Sequence, residues 1–274
     1  MLIKRLPFLF SFLSVLSSFG ERALAQPVQP QFVVTYVEFK PAHIKAGAQM
    51  LEELAANAEQ SSGVINFDVL QQIDARNFFA LFETWTTPQA FSDFRSSSAT
   101  RALLSQLRHL LEAPLDERLG NLRAGTVTAR SEHVEDSQIF AITDVDINPE
   151  LVGQIGPRLD AFVNESLHDP GVQTFALLCQ TPTPNSFQLV EAFADLQAFN
   201  AHLRGQHTVE FRNSTAGLLG PPYAERLYQF VGGKEQPRAG AVRLNNDKSG
   251  SLRLRQCQLG IEGPAIYPFY EMEQ

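Results

Sequence analysis

The stretch NFFALFETW at residues 77–85 recurs as NSFQLVEAF at residues 185–193, an offset of 108 positions. The residues shared by the two stretches are Asn, Phe, Leu and Glu, and they stand at every second position. Such alternation is typical of a β-strand with one face in a core. The same offset aligns more distant residues without a gap, among them Gly63 with Gly171, Phe67 with Phe175, Phe91 with Phe199, and Glu117 with Glu225. The chain is therefore predicted to contain two copies of one domain.

Each copy carries the same predicted order of elements. The first copy has predicted strands at residues 32–39, 64–72, 78–85 and within 117–127, and predicted helices from Ile44 and from Pro88, the latter with a break near residues 96–98. The second copy has predicted strands at residues 138–147, 172–180, 187–193 and 225–231, and predicted helices at 151–167, after Asp195, and at about 207–219. The order β-α-β-β-α-β is the ferredoxin-like arrangement, so the predicted fold class is α+β with two ferredoxin-like repeats.

The bare face of each sheet determines how the copies associate. Helices on one face of a four-stranded antiparallel sheet leave the other face apolar, and that face must be buried against something. The second copy is the nearest partner, because the covalent link raises its effective concentration. The sequence therefore predicts that the two sheets pack face to face within one chain. It also permits a homodimer of the fused pair.

The chain divides into five predicted segments, two of which overlap. Lys4 and Arg5 precede a short apolar run at residues 6–19, and residues 23–25 (ALA) fit a cleavage site. Residues 1–25 are therefore predicted to be a cleaved bacterial signal peptide, which would place the protein in the periplasm or outside the cell. The remaining predicted segments are a first domain at 31–127, a linker at 120–136 that overlaps its end, a second domain at 137–231, and a mostly disordered tail at 232–274.

Composition excludes several classes of function. The formal net charge is −8, and no stripe of Lys and Arg with interleaved aromatic residues is present, so nucleic acid and anionic lipid are excluded as partners. The two cysteines, Cys179 and Cys257, provide neither a zinc cluster nor a redox pair. Cys179 lies in a predicted strand, and we interpret it as a buried thiol in preference to one half of a disulfide.

A family resemblance rests on corresponding stretches of the two copies. In the first copy these are Glu-Thr-Trp at residues 83–85 and Gln-Ala-Phe at 89–91. In the second copy they are Glu-Ala-Phe at 191–193, Ala-Phe-Asn-Ala-His-Leu at 198–203, and His207. These stretches resemble the antibiotic biosynthesis monooxygenase family, whose ferredoxin-like domains pair sheet to sheet into a dimeric α/β barrel. The resemblance implies an intrachain version of that barrel.

Neither copy has the full pattern of that family, which is a Glu-x-Trp strand end, a helical His and a second His five residues later. The second copy has both histidines, His202 and His207, but Phe193 in place of the Trp. The first copy keeps Trp85 and has Phe94 in place of the first histidine. The resemblance is therefore stronger for the fold than for the reaction.

The resemblance implies a monooxygenase that needs neither metal nor other cofactor and acts on a quinol-like or polyketide-like aromatic. Such a reaction deprotonates an electron-rich phenol, and the resulting anion then passes electrons to O₂. It needs a general base, an apolar pocket and a donor to the phenolate oxygen. His202 is the candidate base, because the ordinary pKa of histidine lies near neutrality. The residues that the resemblance assigns to binding are Trp85, Phe94, Tyr36, His207 and Phe193.

The sequence leaves other functions of the chain, and the role of two glutamates, open. The incomplete pattern in each copy also fits a non-catalytic exported protein that binds a small apolar ligand in the same pocket, or a chain in which one copy is purely structural. Glu83 and Glu191 are either bases of raised pKa or strand-end salt bridges. Haem-related binding is less favoured, because Leu104 and Arg212 stand where haem-degrading relatives place the iron-binding His.

Overall fold

The computed structural model describes residues 29–127, 137–219 and 224–232. The predicted signal peptide, nearly all of the predicted tail and Cys257 lie outside these residues. No helix within them is long and apolar enough to cross a membrane. Cys179 is buried in its strand, as the sequence predicts.

Both halves fold in the predicted order. The first half has strands β1 (Gln31–Glu38), β2 (Val64–Gln72), β3 (Phe78–Trp85) and β4 (Asp116–Thr126), and helices α1 (Ile44–Glu59), α2 (Pro88–Ser96) and α3 (Ser98–Leu107). The second half has strands β5 (Ile139–Asp146), β6 (Val172–Gln180), β7 (Ser186–Phe193) and β8 (Ala224–Gly232), and helices α4 (Val152–Ser166), α5 (Leu196–Arg204) and α6 (Gln206–Thr215). The predicted break near residue 97 is confirmed and divides the predicted helix of the first half into α2 and α3, and the two helices predicted after the third strand of the second half are α5 and α6.

The helices that follow the third strands begin at matched capping residues. The Thr87 side chain accepts a hydrogen bond from the Ala90 N–H (2.9 Å), with Pro88 at the first helical position. Asp195 does the same for the Ala198 N–H at 2.7 Å. An oxygen at the N-cap satisfies a backbone donor that the helix cannot, so the capping residue fixes where the helix starts. These caps therefore set the place of α2 and α5 over the sheet.

The eight strands form one closed barrel in the order β1-β3-β2-β8-β5-β7-β6-β4, and every neighbouring pair is antiparallel. Two seams join the halves, β2 with β8 and β4 with β6. Closure removes the strand edges that each half would otherwise expose. The predicted fold class, two ferredoxin-like repeats packed as an intrachain α/β barrel, is confirmed.

Alternation along the strands separates three apolar cores. On β3, Phe79, Leu81 and Trp85 face the helices of the first half, whereas Ala80 and Phe82 face the barrel interior. The second half has an equivalent helix-side core. The interior core draws residues from both halves, so the faces that the sequence predicts to be bare are buried against each other.

The predicted linker at residues 120–136 is in part a strand. Residues 120–126 continue β4, with Gly120 opposite Gln180 and Thr126 opposite Phe175 on β6. The Gly and charged residues of this stretch are typical of a linker, and its strand character comes from pairing with a distant partner. This extension forms the β4–β6 seam between the halves.

Candidate functional site

We call the region between the sheet and the second and third helices of each half its helix-side space, and in both halves it is packed with buried side chains. In the first half this space is filled by stacked rings. Trp85, which is fully buried, stacks on Phe94 with ring centroids 4.9 Å apart, and Phe91 lies 6.1 Å from Trp85. Phe67 contacts Phe94 edge-on at 6.2 Å. The first-half space is thus a packed hydrocarbon core, and it holds two of the predicted binding residues, Trp85 and Phe94.

In the second half the equivalent space holds an imidazole. His202 stands where the first half has Phe94, and it is only 3% exposed. Its ring lies 5.3 Å from Phe175, 5.4 Å from Phe193 and 5.7 Å from Phe162, measured between ring centroids. We call these three rings the second-half aromatic cluster. A polar, titratable ring therefore occupies a position that hydrocarbon fills in the other half.

Asp169 and His207 complete the surroundings of His202. The Asp169 Oδ2 lies 2.7 Å from His202 Nδ1 and 3.1 Å from His207 Nε2. Asp169 belongs to the turn after α4, whereas the two histidines lie on either side of the break between α5 and α6. We call these three residues the His–Asp–His cluster. The structure brings together both predicted histidines and one carboxylate.

The sequence analysis missed Asp169. It stands where the first copy has Ser61, just as His202 and His207 replace Phe94 and Ala99. All three exchanges put a chemically active side chain in the second copy only. This pattern of exchange between the copies is the signal that could have found the cluster.

Burial sets the protonation of His202. Loss of solvent lowers its pKa, whereas the Asp169 carboxylate beside it works in the opposite direction, and the nearby His207 and Arg212 lower the pKa further. The neutral ring must donate through Nδ1–H, because an ionised carboxylate can only accept. The lone pair then lies on Nε2. Asp169 therefore holds His202 in the tautomer that leaves Nε2 as a proton acceptor.

Glu83 and Glu191 correspond in the two copies but have different environments. The Glu83 carboxylate is fully buried and accepts hydrogen bonds from Trp85 Nε1 at 3.0 Å and from Arg95 at 2.8 Å, one on each oxygen. Arg95 also pairs with Glu117 at 2.8 Å. Burial raises the pKa of Glu83, and the Arg95 guanidinium and the Trp85 N–H oppose that rise. Glu83 is therefore held in a salt bridge, which is one of the two roles predicted for it from the sequence.

Glu191 lost both of those donors through two substitutions. Phe193 replaces the Trp and Leu203 replaces the Arg, so that the Glu191 Oε2 has no hydrogen-bond partner among the described residues. Arg212 lies close by but pairs with Glu225 at 3.3 Å. Burial raises the pKa of Glu191 well above its ordinary value, and the Glu225 carboxylate adds to the rise. Glu191 is therefore a fully buried carboxyl group of raised pKa, on the same face of β7 as Phe193, which is one of the rings around His202.

The two glutamates should respond oppositely to the same substitution. Glu83→Gln should lower the free energy of unfolding by about 3 kcal/mol, because a glutamine offers one oxygen to two buried donors. Glu191→Gln should match native stability near pH 4.5 and exceed it at neutral pH, because the raised pKa of Glu191 gives stability that is lost as pH rises. Urea unfolding of both variants at two pH values measures this difference. Equal losses of unfolding free energy in the two variants would contradict the different environments described for Glu83 and Glu191.

Tyr36 lies away from the other predicted pocket residues. Its side chain faces the barrel interior, where the hydroxyl donates to Asp144 Oδ1 at 3.0 Å and receives the Gln188 amide at 3.3 Å. Strand alternation explains this, because Val33 and Val37 take the helix-facing positions on β1. Burial and the Asp144 carboxylate raise the pKa of Tyr36 well above its ordinary value. Tyr36 therefore does not share a pocket with Trp85 and Phe94, the other two first-half residues predicted to bind.

Comparison with known protein families also finds two copies of one domain in the chain. The sequence profile described as "Antibiotic biosynthesis monooxygenase" matches residues 30–106 and again residues 138–214. A comparison with curated protein sequences finds no significant match.

Solved structures share the two-half architecture. A proposed monooxygenase from Fusobacterium nucleatum superposes with a TM-score of 0.66 and 14% identity, covering 77% of this chain and 99% of its own. A proposed monooxygenase from Lactobacillus acidophilus gives 0.61 and 12%, covering 79% and 100%. An anthrone oxidase-like protein gives 0.58 and 10%, covering 78% and 98%. At such identities the likeness establishes the fold alone.

Proposed function

The chain belongs to the antibiotic biosynthesis monooxygenase family, and on that premise we propose that it is a cofactor-independent monooxygenase with His202 as its general base. The proposed substrate is a quinol-like or polyketide-like aromatic. The observation that carries the proposal is the placement of His202. It is a buried neutral imidazole, oriented by a carboxylate and surrounded by aromatic rings, in the half that keeps the family's histidines.

The proposed reaction uses these groups in order. His202 Nε2 takes a proton from an activated phenol or from the methylene carbon of an anthrone, and Asp169 stabilises the imidazolium that forms. The electron-rich anion passes electrons to O₂. For an anthrone, the methylene carbon loses two hydrogens and gains one oxygen atom, and the second oxygen atom leaves as water. The reaction is balanced with O₂ as the oxidant and no external reductant.

The surroundings of His202 suit this chemistry. The second-half aromatic cluster surrounds His202 with buried apolar rings, so a substrate that reaches Nε2 would displace part of this packing and contact flat apolar faces. The raised pKa of Glu191 favours its protonated form, whose O–H would be a candidate donor to an oxyanion. Asp169 and His207, with side chains 21% and 16% exposed, are the partly exposed neighbours of His202, and substrate is proposed to enter on their side.

A second candidate function is non-catalytic binding of a small apolar ligand at the same place. The observation that favours it is Phe193, which stands where the family has a tryptophan, so that the second half lacks one polar donor of the usual set. Such a protein would bind an aromatic ligand in this half without consuming O₂. The first half differs in that Phe94, stacked on Trp85, stands in place of the imidazole.

Oxygen consumption separates the two functions. We expect the purified full chain to consume O₂ with at least one member of a panel of anthrones and hydroquinones, at a rate above that of heat-denatured protein. Anthrones come first, because an anthrone oxidase-like protein shares the fold. The absorption spectrum should show no flavin or haem band. Saturable binding of a panel member without oxygen uptake would favour the binding protein. If the protein shows neither oxygen uptake nor binding, both functions are overturned.

Export remains a proposal. It rests on the signal-like residues 1–25, which lie outside the described part of the chain. An exported oxygenase that needs no cofactor could cross the membrane unfolded, since nothing has to be loaded beforehand. The proposed site is thus compatible with work in the periplasm or outside the cell.

A further inference from the structure

The His–Asp–His cluster places three potential metal ligands at one point. His202, His207 and Asp169 each offer one donor atom, and these atoms all lie within 4.8 Å of one another. We propose that the cluster is a binding site for one divalent first-row transition metal ion. No metal site was predicted from the sequence, because the carboxylate comes from a turn that no sequence pattern singles out.

The donor set fits the proposed ion. Two imidazoles and one carboxylate form a ligand set used for zinc and for non-haem iron, with the remaining positions open to water or another ligand. A tetrahedral zinc ion with bonds of about 2.0–2.1 Å needs its ligand atoms about 3.4 Å apart. The Asp169 Oδ2 is 2.7 Å from His202 Nδ1 and 3.1 Å from His207 Nε2. Each of these two distances would have to lengthen by less than 1 Å, and the two imidazole nitrogens, which lie within 4.8 Å of each other, would have to reach the same separation.

The backbone supports this arrangement of ligands. His202 lies in the last turn of α5 and His207 in the first turn of α6, on the two sides of Gly205, and Asp169 approaches from the turn after α4. The three ligands therefore come from separate segments that packing holds together. Ligands held in this way lose little conformational freedom on binding, which favours affinity.

The environment permits a charged ion. Phe162 stacks on Phe211 with centroids 4.3 Å apart, and Phe162 also lies 6.0 Å from His207, so that the inner side of the site is apolar. Arg212 is the nearby positive charge, and Glu225 neutralises it at 3.3 Å. The partly exposed sides of Asp169 and His207 leave a path from solvent. The ion would thus be shielded on one side and reachable on the other.

The first half cannot hold a second ion in the same way. The corresponding residues are Ser61, Phe94 and Ala99, which offer no imidazole and no carboxylate. The proposal therefore predicts one ion per chain. It does not rest on the proposed oxygenase activity, because ligand type and geometry alone carry it. An ion bound to His202 Nδ1 and Asp169 would replace the hydrogen bond that orients the base.

The test uses the untagged full chain after treatment with a chelator. Zn²⁺ should bind with a stoichiometry of one by isothermal titration calorimetry, and Co²⁺ should give visible absorption bands typical of nitrogen and oxygen ligands. His207→Ala should weaken Zn²⁺ binding roughly 100-fold or more, because it removes one of three ligands. Zn²⁺ should raise the unfolding temperature of the native chain but not of His207→Ala.

His168 provides the matched control, because it is exposed and next to Asp169 in sequence but outside the cluster. His168→Ala should bind Zn²⁺ as the native chain does. Circular dichroism shows that each variant is folded before titration. Absence of binding to folded native protein, or equal affinity in native protein and His207→Ala, would overturn the proposal. Loss of binding in His168→Ala with retention in His207→Ala would place the ion elsewhere and would overturn it too.

Discussion

Replacing His202 by phenylalanine is expected to reduce kcat/KM for oxygen uptake by roughly 10²–10⁴-fold, the range that a general base contributes. The protein should stay folded, because the first half carries Phe94 at the equivalent position and packs it against matching rings. The substitution makes the second half resemble the first in this respect. It therefore removes the base and keeps the aromatic filling of the site.

An oxygen electrode measures this effect, with the substrate that gives the fastest uptake by native protein. His109→Phe is the matched control, because His109 is exposed in the first half and outside both spaces. The control should retain native kcat/KM within about twofold. Native-like uptake by a folded His202→Phe variant would show that His202 is not the base, and the proposed mechanism would fail even if the protein is an oxygenase.

Gly125→Ala should cause the largest loss of stability, more than about 4 kcal/mol. Gly125 lies in β4 at the seam with β6, and its φ of +90° is a conformation that L side chains rarely adopt. An added Cβ would also overlap the carbonyl oxygen of Phe175 and approach Val163 Cγ1 within 2.8 Å. Backbone on both sides of the seam would have to move, and this displacement would break the pairing between the halves.

Gly217→Ala separates the destabilisation caused by the positive φ from the destabilisation caused by the overlap of the added Cβ. Its φ is +75°, and an added Cβ would meet nothing within 4 Å, so Gly217→Ala carries the backbone cost without the overlap. We expect a loss of about 1–2 kcal/mol for this control. Urea unfolding followed by far-UV circular dichroism gives both values. A Gly125→Ala variant no less stable than Gly217→Ala would mean that the seam is not closed as described.

The sequence predicted the fold through features that are local or repeated. Alternation in the 77–85 stretch located β3, and the offset of 108 residues transferred it to β7. Thr87 and Asp195 predicted the helix starts, because N-capping depends on residues within one turn. Closure followed from the need to bury two bare sheet faces. Each of these inferences uses information that lies within a few residues or is repeated.

The site was less predictable, because its contacts are non-local. Asp169 reaches His202 across 33 residues of sequence, and nothing near Asp169 signals that contact. Tyr36 was misplaced because an apolar strand that is buried on both faces does not reveal which face each residue takes. Residues 120–126 were predicted both as the end of the last strand and as the start of the linker, because their strand character depends on pairing with β6. Long-range pairing and side-chain direction are what the single sequence lacks.

The central claim is that two duplicated halves close one barrel and are stable only together. The chain contains a single tryptophan, Trp85, which is buried in the first half, so its fluorescence reports on that half alone. Far-UV circular dichroism reports on both halves. In one urea titration of the native chain, the account predicts that the two signals share one midpoint and that Gly125→Ala shifts them together. Two separated midpoints, or a Trp85 transition that Gly125→Ala leaves unchanged, would contradict it.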